Sequence, residues 1–297
     1  MPTTVTSAIT GQSVWFITGC STGFGLELAK QLLARGNSVV VTARNPKALT
    51  EFAGLENALV QRLDVTDAAQ IATAVQAAEA RFGHIDVLVN NAGIGYFAAV
   101  EEGEDDEIRR MFEINLFGLA AMTRAVLPGM RKRRQGFIVN FSSIGGLRSF
   151  PAIGWYNATK FAVEGLSEAL WQEVEPLGIR VMLVEPSGFR TDWAGRSADE
   201  SKVQIADYAA TAGAGRAGVR AVSGHQAGDP VRAAEAIIKT VEGADPPHHL
   251  LLGNDAYEGA MAKLAELNRD FTNWETVSRG ADFPKDDVPQ AGTRRAA

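Results

Sequence analysis

Three side chains that could move a proton to or from an oxygen occur close together in the chain. Tyr156 and Lys160 lie four positions apart in a segment with a helical pattern, which puts both on one helix face. A free phenol has a pKa of about 10, and an adjacent ammonium favours the phenolate and lowers that pKa. Ser143 follows an apolar strand and could donate a hydrogen bond to an oxygen that gains negative charge. The three residues together predict acid–base chemistry on a carbonyl or an alcohol.

A glycine-rich loop stands between the first predicted strand and the first predicted helix, with the spacing G-x3-G-x-G. Missing side chains let the backbone approach a pyrophosphate at the helix N-terminus, and this context favours a dinucleotide site over a purely structural turn. The loop residues predicted to bind the cofactor are Gly19, Ser21, Thr22, Gly23, Phe24 and Gly25. A dinucleotide beside an acid–base tyrosine predicts hydride transfer, and therefore an oxidoreductase.

The residues that follow the second predicted strand bear on the choice between NAD and NADP. In dinucleotide-binding folds a carboxylate roughly 20 residues beyond the first glycine usually binds the adenine-ribose 2′-OH. No Asp or Glu occurs from residue 28 to residue 50, whereas Arg44 follows the second strand with Lys47 close behind. A guanidinium there can form a forked bond with a 2′-phosphate, although a solvated loop arginine is the alternative. The sequence therefore predicts NADP(H) as the preferred cofactor, with NAD(H) as the other possible cofactor.

Apolar, β-branched runs alternate with helical patterns through most of the chain. The predicted strands are Val14–Thr18, Val39–Thr42, Leu59–Leu63, Ile85–Val89, Phe137–Phe141, Ile179–Val184 and His249–Leu252. The predicted helices are Leu26–Arg35, Asp67–Phe82, Asp105–Arg134, Trp155–Glu175, Pro230–Glu242 and Asp255–Asp270. Such alternation requires right-handed crossovers. It predicts an α/β fold, a single-domain, Rossmann-type, doubly wound parallel sheet of about seven strands with helices on both faces.

The predicted organisation has one dehydrogenase domain between two tails. Residues 1–12 are expected to be a flexible tail, 13–280 the domain and 281–297 a disordered tail. The Ala-, Gly- and Ser-rich segment 191–228 has weak periodicity and is expected to fold over the substrate as a mobile lid. Pro128 and Gly129 are expected to bend or interrupt the long third helix.

Composition excludes several classes of partner. The net charge of −6 and the pI near 5.4 argue against nucleic acid or an anionic membrane as the main partner. Cys20 is the only cysteine and is interpreted as a small residue in a tight turn, and the four histidines lack metal-ligand spacing, so no metal is expected. The early apolar run is too short for a signal or membrane segment, which predicts a cytoplasmic protein.

The motifs together resemble the short-chain dehydrogenase/reductase family in its single-domain form, over about residues 13–255. The matching motifs, in chain order, are Thr18-Gly19-x3-Gly23-x-Gly25, Asp64-Val65, Asn90-Asn91-Ala92-Gly93, Asn115, Ser143, Tyr156-x3-Lys160 and Thr191. Residues 42–46 and 185–192 look most similar to the branch of the 17β-hydroxysteroid dehydrogenases. Ser187 departs from the family, which usually has a glycine after the proline at this point.

The resemblance implies a role for each matched position. Ser143 would polarise the substrate oxygen, Tyr156 would exchange its proton, and Lys160 would lower the pKa of the tyrosine. Lys160 would also hold the nicotinamide ribose, next to Tyr156, and Asn115 would keep a water-linked proton path to solvent. The remaining cofactor contacts implied are Asp64 and Val65 at the adenine, Asn91, Ala92 and Gly93 along the cofactor, and Pro186, Gly188 and Thr191 near the nicotinamide.

The predicted function is that of an NADP-preferring carbonyl reductase or alcohol dehydrogenase acting on an apolar ketone or aldehyde. The side chains expected around the substrate are Tyr96, Phe97, Leu147, Phe150, Trp155, Phe189 and Trp193. By the same resemblance, the helices at about 105–134 and 155–175 would pair subunits into a homodimer or homotetramer. A catalytically silent, NADP-sensing regulator is the alternative, and an isomerase or dehydratase acting on nucleotide sugars is a third.

Overall fold

A sheet of seven parallel strands forms the centre of the chain. The structure is a computed structural model and describes residues 9, 12–195 and 197–283. The described strands are β1 (Val14–Ile17), β2 (Ser38–Ala43), β3 (Ala58–Arg62), β4 (Val87–Asn90), β5 (Gly95–Phe97), β6 (Gly136–Phe141), β7 (Ile179–Pro186), β8 (Ala198–Glu200) and β9 (His249–Leu252). The main sheet has the order β3-β2-β1-β4-β6-β7-β9, with every neighbouring pair parallel.

Helices cover both faces of this sheet. The described α-helices are α1 (Gly23–Ala34), α2 (Ala68–Phe82), α3 (Asp105–Phe112), α4 (Leu119–Arg133), α5 (Gly154–Val174), α6 (Ala214–Ala221), α7 (Pro230–Val241), α8 (Asn254–Asn273) and α9 (Glu275–Arg279). Successive strand residues point to opposite faces, so Trp15 and Ile17 pack under α1 and α7, whereas Phe16 packs under α2 and α4. With both faces buried, the strands are almost wholly apolar. The predicted fold class is confirmed.

The strand order places the ligand crevice. It runs outward in one direction from β1 through β2 to β3 and in the other from β1 through β4 to β9. In open α/β sheets of this kind, ligands bind beyond the carboxyl ends of the strands where the order reverses, which here lies between β1 and β4. The glycine loop follows β1, and Ser143 follows β6 at the same edge.

Several local features differ from the sequence expectations. The long third helix does not break at Pro128, which lies inside α4; the departure from α geometry is a π-helical segment, Glu113–Gly118, between α3 and α4. The strands β5 and β8 form a small parallel sheet that the sequence pattern missed. The segment expected to be a mobile lid contains β8 and α6, and the last predicted helix extends to Asn273.

The chain ends fall mostly outside this description. Residues 1–8, 10, 11 and 284–297 lie outside the described residues, so the two tails expected at 1–12 and 281–297 stay predictions. Among the residues described, none of the helices combines the length and the apolar character needed to cross a membrane.

Candidate active site

The glycine loop after β1 has a backbone that side chains would obstruct. Gly19 and Gly23 have φ angles of +73° and +60°, in the left-handed region that favours glycine. A Cβ on Gly25 would overlap the carbonyl oxygen of Gly19 and lie 2.6 Å from Nδ2 of Asn91. The predicted reason for glycine at these positions is therefore visible in the geometry.

Thr18 and Asn91 hold the loop against the end of β4. Asn91 Nδ2 donates to the carbonyl oxygens of Thr18 at 2.9 Å and Gly19 at 2.8 Å. In return, Thr18 Oγ1 accepts from the backbone N–H groups of Asn91 and Ala92, both at 3.0 Å. The Asn91 side chain thus positions the loop, a role that the sequence pattern did not distinguish from direct cofactor contact.

The N-terminus of α1 has the features of a pyrophosphate site. Thr22 is the N-cap and its side chain makes no capping hydrogen bond, so the first N–H groups of the helix are left for a ligand. Ser21 is exposed beside it. Phe24 instead packs its ring on Phe141 and Phe189, with centroid distances of 5.3 and 5.0 Å, and so anchors the helix start. These residues fit a dinucleotide.

The residues expected at the adenine end divide into free and engaged side chains. Arg44 is exposed and has no hydrogen bond or ion pair within the part of the chain that is described. Asp64 Oδ1 accepts from the backbone N–H and the hydroxyl of Thr66, at 3.0 and 2.8 Å. Val65 is buried against Gly118, where an added Cβ would lie 2.6 Å from Val65 Cγ2. Arg44 is the group available for a phosphate.

The structure brings Ser143, Tyr156 and Lys160 together, with Tyr156 and Lys160 buried and Ser143 half-buried. The Ser143 hydroxyl accepts from Gly145 N–H at 3.0 Å and is hydrogen-bonded to the Tyr156 side chain. Lys160 Nζ donates to the carbonyl oxygen of Phe141 at 2.7 Å and lies 5.6 Å from the centroid of the Tyr156 ring. The helical i,i+4 spacing in α5 and the end of β6 therefore place the three residues together, as predicted.

The protonation of this group differs from the sequence expectation. Burial raises the pKa of Tyr156 to about 12, and the hydrogen bond with Ser143 only partly opposes this. Burial also lowers the pKa of Lys160 to about 8, against the attraction of Glu164. The expected lowering of the tyrosine pKa by the lysine is wrong for this state, because desolvation of the phenolate dominates and the ammonium bonds a backbone carbonyl.

Asn115 lies in the π-helical segment and binds two neighbouring elements. Its Oδ1 accepts from Ile94 N–H at 2.9 Å, while Nδ2 donates to the Ile94 carbonyl at 3.0 Å and to Thr159 Oγ1 at 3.2 Å. A π turn widens the helix locally and often marks a functional position. The amide therefore connects the loop after β4 to α5 at Thr159, three residues after Tyr156. The role of Asn115 in a water path stays a prediction.

Ser187, the departure from the family pattern, points its side chain towards β9. Pro186 ends β7, and Ser187 Oγ donates to the carbonyl oxygen of Leu252 at 3.4 Å. Gly253 has a φ of +93°, and a Cβ there would overlap the Ser187 hydroxyl. A Cβ on Gly188 would meet only ordinary contacts. The serine side chain is accommodated by a glycine on the neighbouring element.

Two aromatic side chains, Phe97 and Trp193, form an aromatic wall beside Tyr156. The Trp193 ring lies 4.8 Å from the ring of Tyr156 and edge-on to Phe97 at 5.6 Å, measured between centroids. Thr191 caps the turn that carries this tryptophan and lies against Gly23, where an added Cβ would be 3.3 Å from Thr191. The segment after β7 therefore touches the glycine loop through Thr191 and Tyr156 through Trp193.

Arg220 in α6 holds this aromatic wall in place, and no pattern in the sequence pointed to it. Its guanidinium donates to the carbonyl oxygens of Ala194 at 2.9 Å and Ala198 at 2.7 Å, and pairs with Glu200 at 2.5 Å. It also lies over the ring of Phe97, 4.7 Å from the centroid. One side chain thus links the turn after β7, the strand β8 and the ring of Phe97 in the aromatic wall.

Cys20 is fully buried within the loop, and burial raises its thiol pKa to about 12. A thiol is unreactive in this form, which supports the structural interpretation of this residue.

Comparison with known proteins assigns residues 13–202 to the family model described as short chain dehydrogenase. The chain is 40% identical over 268 residues to oxidoreductase BOA17 of Botryotinia fuckeliana, covering 89% of this chain and 97% of that protein. It is 44% identical over 194 residues to a 3-ketodihydrosphingosine reductase of Bacteroides thetaiotaomicron, covering 65% of this chain and 70% of the relative.

Solved structures give the same result. A short-chain dehydrogenase from Streptomyces avermitilis superposes with a TM-score of 0.86 at 42% identity, covering 92% of this chain and all of that chain. A short-chain dehydrogenase from Burkholderia cenocepacia in complex with NADP superposes with a TM-score of 0.70 at 25% identity, covering 88% of this chain and 97% of that one.

Proposed function

The chain belongs to the short-chain dehydrogenase/reductase family of NAD(P)-dependent oxidoreductases, and on this premise we propose that it is an NADP-preferring reductase of apolar ketones or aldehydes. One observation carries the proposal. Ser143, Tyr156 and Lys160 meet at the carboxyl edge of the sheet, beside a glycine loop that fits a dinucleotide. The alcohol-to-carbonyl direction uses the same groups in reverse.

The protonation of the site favours reduction. With its pKa raised to about 12, Tyr156 is a neutral phenol near pH 7 and can donate its proton to an oxygen that gains negative charge. Ser143 stands within hydrogen-bond reach of the tyrosine and stabilises the same oxygen. Lys160 supplies a positive charge beneath the ring and holds the ribose. When bound, the nicotinamide supplies the hydride.

Arg44 supports NADP over NAD as the preferred cofactor. Its guanidinium is exposed and unengaged among the described residues, at the end of the strand that neighbours β1. A planar guanidinium suits a 2′-phosphate, and the chain lacks the acidic residue that would repel it. The NADP named in the complex of the Burkholderia cenocepacia protein agrees with this choice.

The aromatic side chains beside Tyr156 support an apolar substrate. Phe97 and Trp193 pack next to this tyrosine, and ring faces of this kind suit alkyl chains or rings better than charged groups. The name of the Bacteroides thetaiotaomicron relative, a 3-ketodihydrosphingosine reductase, is consistent with a ketone on an apolar body. We propose that the segment 191–228 closes over this substrate.

The outer face of α5 supports a homodimer or homotetramer. Phe161 and Leu166 on α5, and Phe117 on the π-helical segment, are 40–54% exposed. Apolar side chains left in water on the helices that pair subunits by family resemblance suit an interface with a second copy. A cytoplasmic location completes the proposal.

The test is turnover of a ketone panel with NADPH by wild-type protein and by Tyr156→Phe. The variant should lose about 10²–10⁴-fold in kcat, the range for a missing general acid, and bind NADPH as before. Tyr257→Phe is the matched control, because that tyrosine is exposed on α8 and should be silent. A Tyr156→Phe protein that keeps its turnover, or a wild type that binds NADPH but reduces nothing while acting as a regulator, would contradict the proposal.

A further inference from the structure

Three ionisable side chains from three elements meet behind the catalytic lysine. Glu164 lies one helical turn beyond Lys160 in α5, Glu185 is on β7, and His249 is on β9. His249 Nδ1 lies 2.7 Å from Glu185 Oε1 and 3.8 Å from Glu164 Oε2, and one ligand atom of each residue lies within 4.8 Å of the others. None of these three residues has a place in the proposed reaction.

The group is unusual because its two carboxyls are buried while its imidazole reaches solvent. The Glu185 side chain is 0% exposed, the Glu164 side chain 13% and the His249 side chain 49%. Within the described residues, Glu185 Oε2 has no hydrogen-bond partner. A buried carboxylate in this state needs a nearby positive charge or a proton.

The interactions within the group are mutual. Burial first, and then the Glu185 carboxylate, raise the pKa of Glu164 to about 7, while Ser142, His249 and Lys160 oppose this. The pKa of His249 is raised, chiefly by its hydrogen bond to Glu185. Glu164 in turn opposes the loss of the proton from Lys160. A charge on the surface imidazole is therefore felt, through Glu164, at the lysine.

The other charged groups around His249 are few. Glu168, on the same face of α5, further raises the pKa of the imidazole. His248 immediately precedes β9, and its Nε2 lies 3.3 Å from Glu175 Oε1. Trp171 stacks on His248 at 4.2 Å and meets His249 edge-on at 5.5 Å, measured between ring centroids. The Glu185 carboxyl is thus the nearest anionic partner of His249.

A divalent cation would also satisfy two carboxylates and an imidazole. Lys160 makes this the weaker choice, because its ammonium lies one helical turn from Glu164 and is attracted to the same carboxylate. The attraction already supplies the compensating charge, and a dication would oppose the lysine on which the proposed reaction depends.

We infer that His249 is a positioning residue which, through Glu185 and Glu164, keeps Lys160 charged and so extends catalysis to more alkaline pH. The inference rests on the proposed function for the role of Lys160. A protonated His249 favours ionised Glu164, and ionised Glu164 favours charged Lys160. Without the imidazolium, Glu164 stays protonated to a higher pH, and Lys160 therefore loses its proton at a lower pH.

The first test is the pH profile of kcat/KM for carbonyl reduction, measured both with and without EDTA. His249→Gln removes the charge, and His249→Arg supplies one that does not titrate. In His249→Gln the alkaline limb should move to lower pH by about half a unit to one unit, which is the shift expected from a modest change in one nearby charge. In His249→Arg the limb should not move to lower pH. His248→Gln is the matched control. Equal limbs in wild type and His249→Gln, or a wild-type limb that depends on EDTA, would overturn the inference.

The second test does not need turnover. The titration of Lys160 is followed by NMR in protein carrying [13Cε]lysine, with the signal assigned through Lys160→Gln. His249→Gln and Glu164→Gln should both lower the Lys160 midpoint, and His249→Arg should not. A midpoint that ignores both substitutions refutes the coupling even in an active enzyme. A shifted midpoint in a protein without reductase activity supports the coupling and refutes the proposed function instead.

Discussion

The Arg44→Ala substitution should change the affinity for NADPH but not the affinity for NADH. The backbone N–H of Cys20 in the glycine loop donates to the Thr42 carbonyl at 2.7 Å, which ties the end of β2 to the dinucleotide site two residues before Arg44. A guanidinium at this place can reach a phosphate on the adenine ribose, where NAD has only a hydroxyl. The substitution should therefore weaken NADPH binding and leave NADH binding unchanged.

The size of the effect follows from exposure. Hydrogen bonds to a charged group contribute about 1.5–3 kcal/mol, and an exposed site belongs at the lower end because solvent screens the pair. Arg44 is exposed, so we expect about 1.5–2 kcal/mol. This corresponds to a roughly 10- to 30-fold rise in the Kd of NADPH. The loss should shrink as ionic strength increases.

The assay is a fluorescence titration with each cofactor at fixed ionic strength. Lys132→Ala is the control, since it removes the same net charge as Arg44→Ala. Lys132 is exposed in the last turn of α4, at the opposite edge of the sheet. Equal weakening of NADPH and NADH by Arg44→Ala would mean that the residue acts on the shape of the site. No weakening of either would mean that Arg44 does not reach the phosphate.

Two further substitutions test the loop and the wall of the pocket. Gly25→Ala should reduce the affinity for NADPH more than tenfold and lower the Tm, because its Cβ would overlap the Gly19 carbonyl; Gly165→Ala, where a Cβ meets open space, should bind normally. Arg220→Gln should raise the KM for the ketone and speed amide hydrogen exchange at 194, 195 and 197–200, because the guanidinium contacts with Ala194, Gly195, Ala198, Glu200 and Phe97 disappear. Arg269→Gln, on the exposed face of α8, is its control and should change neither.

The sequence predicted the elements with strong patterns and the residues that local spacing brings together. The alternation of apolar strands and helices is enough to predict the parallel sheet. Asp67, the first residue of the predicted second helix, is the N-cap of α2 and accepts from Ala69 N–H at 2.9 Å. Tyr156 and Lys160 share a face because helix geometry requires it. Gly36, with a φ of +83°, ends α1 as a left-handed cap.

What the sequence missed depends on long-range contacts. The strands β5 and β8 are three residues each, too short for a pattern, and pair across about a hundred positions. The segment around α6 has weak periodicity, and its order comes from Arg220, whose partners are 20–26 residues away. The predicted direction of the Tyr156 pKa shift was wrong, because spacing reveals the neighbouring ammonium but not the burial of the phenol.

A buried polar layer beneath the site explains how separate elements hold one catalytic geometry. Asn90 on β4 donates to Asn140 on β6 at 2.9 Å and to Thr123 on α4 at 3.0 Å, and Asn140 donates to Ser167 on α5 at 2.9 Å. All four side chains are buried, where losing one partner would leave an unsatisfied group at a cost of about 1–3 kcal/mol. The layer therefore locks the strand before the Asn91 loop, the strand before Ser143 and the helix of Tyr156 in one register. The relative positions of Ser143, Tyr156 and Lys160 therefore depend on these buried polar side chains as well as on the contacts that the three residues make themselves.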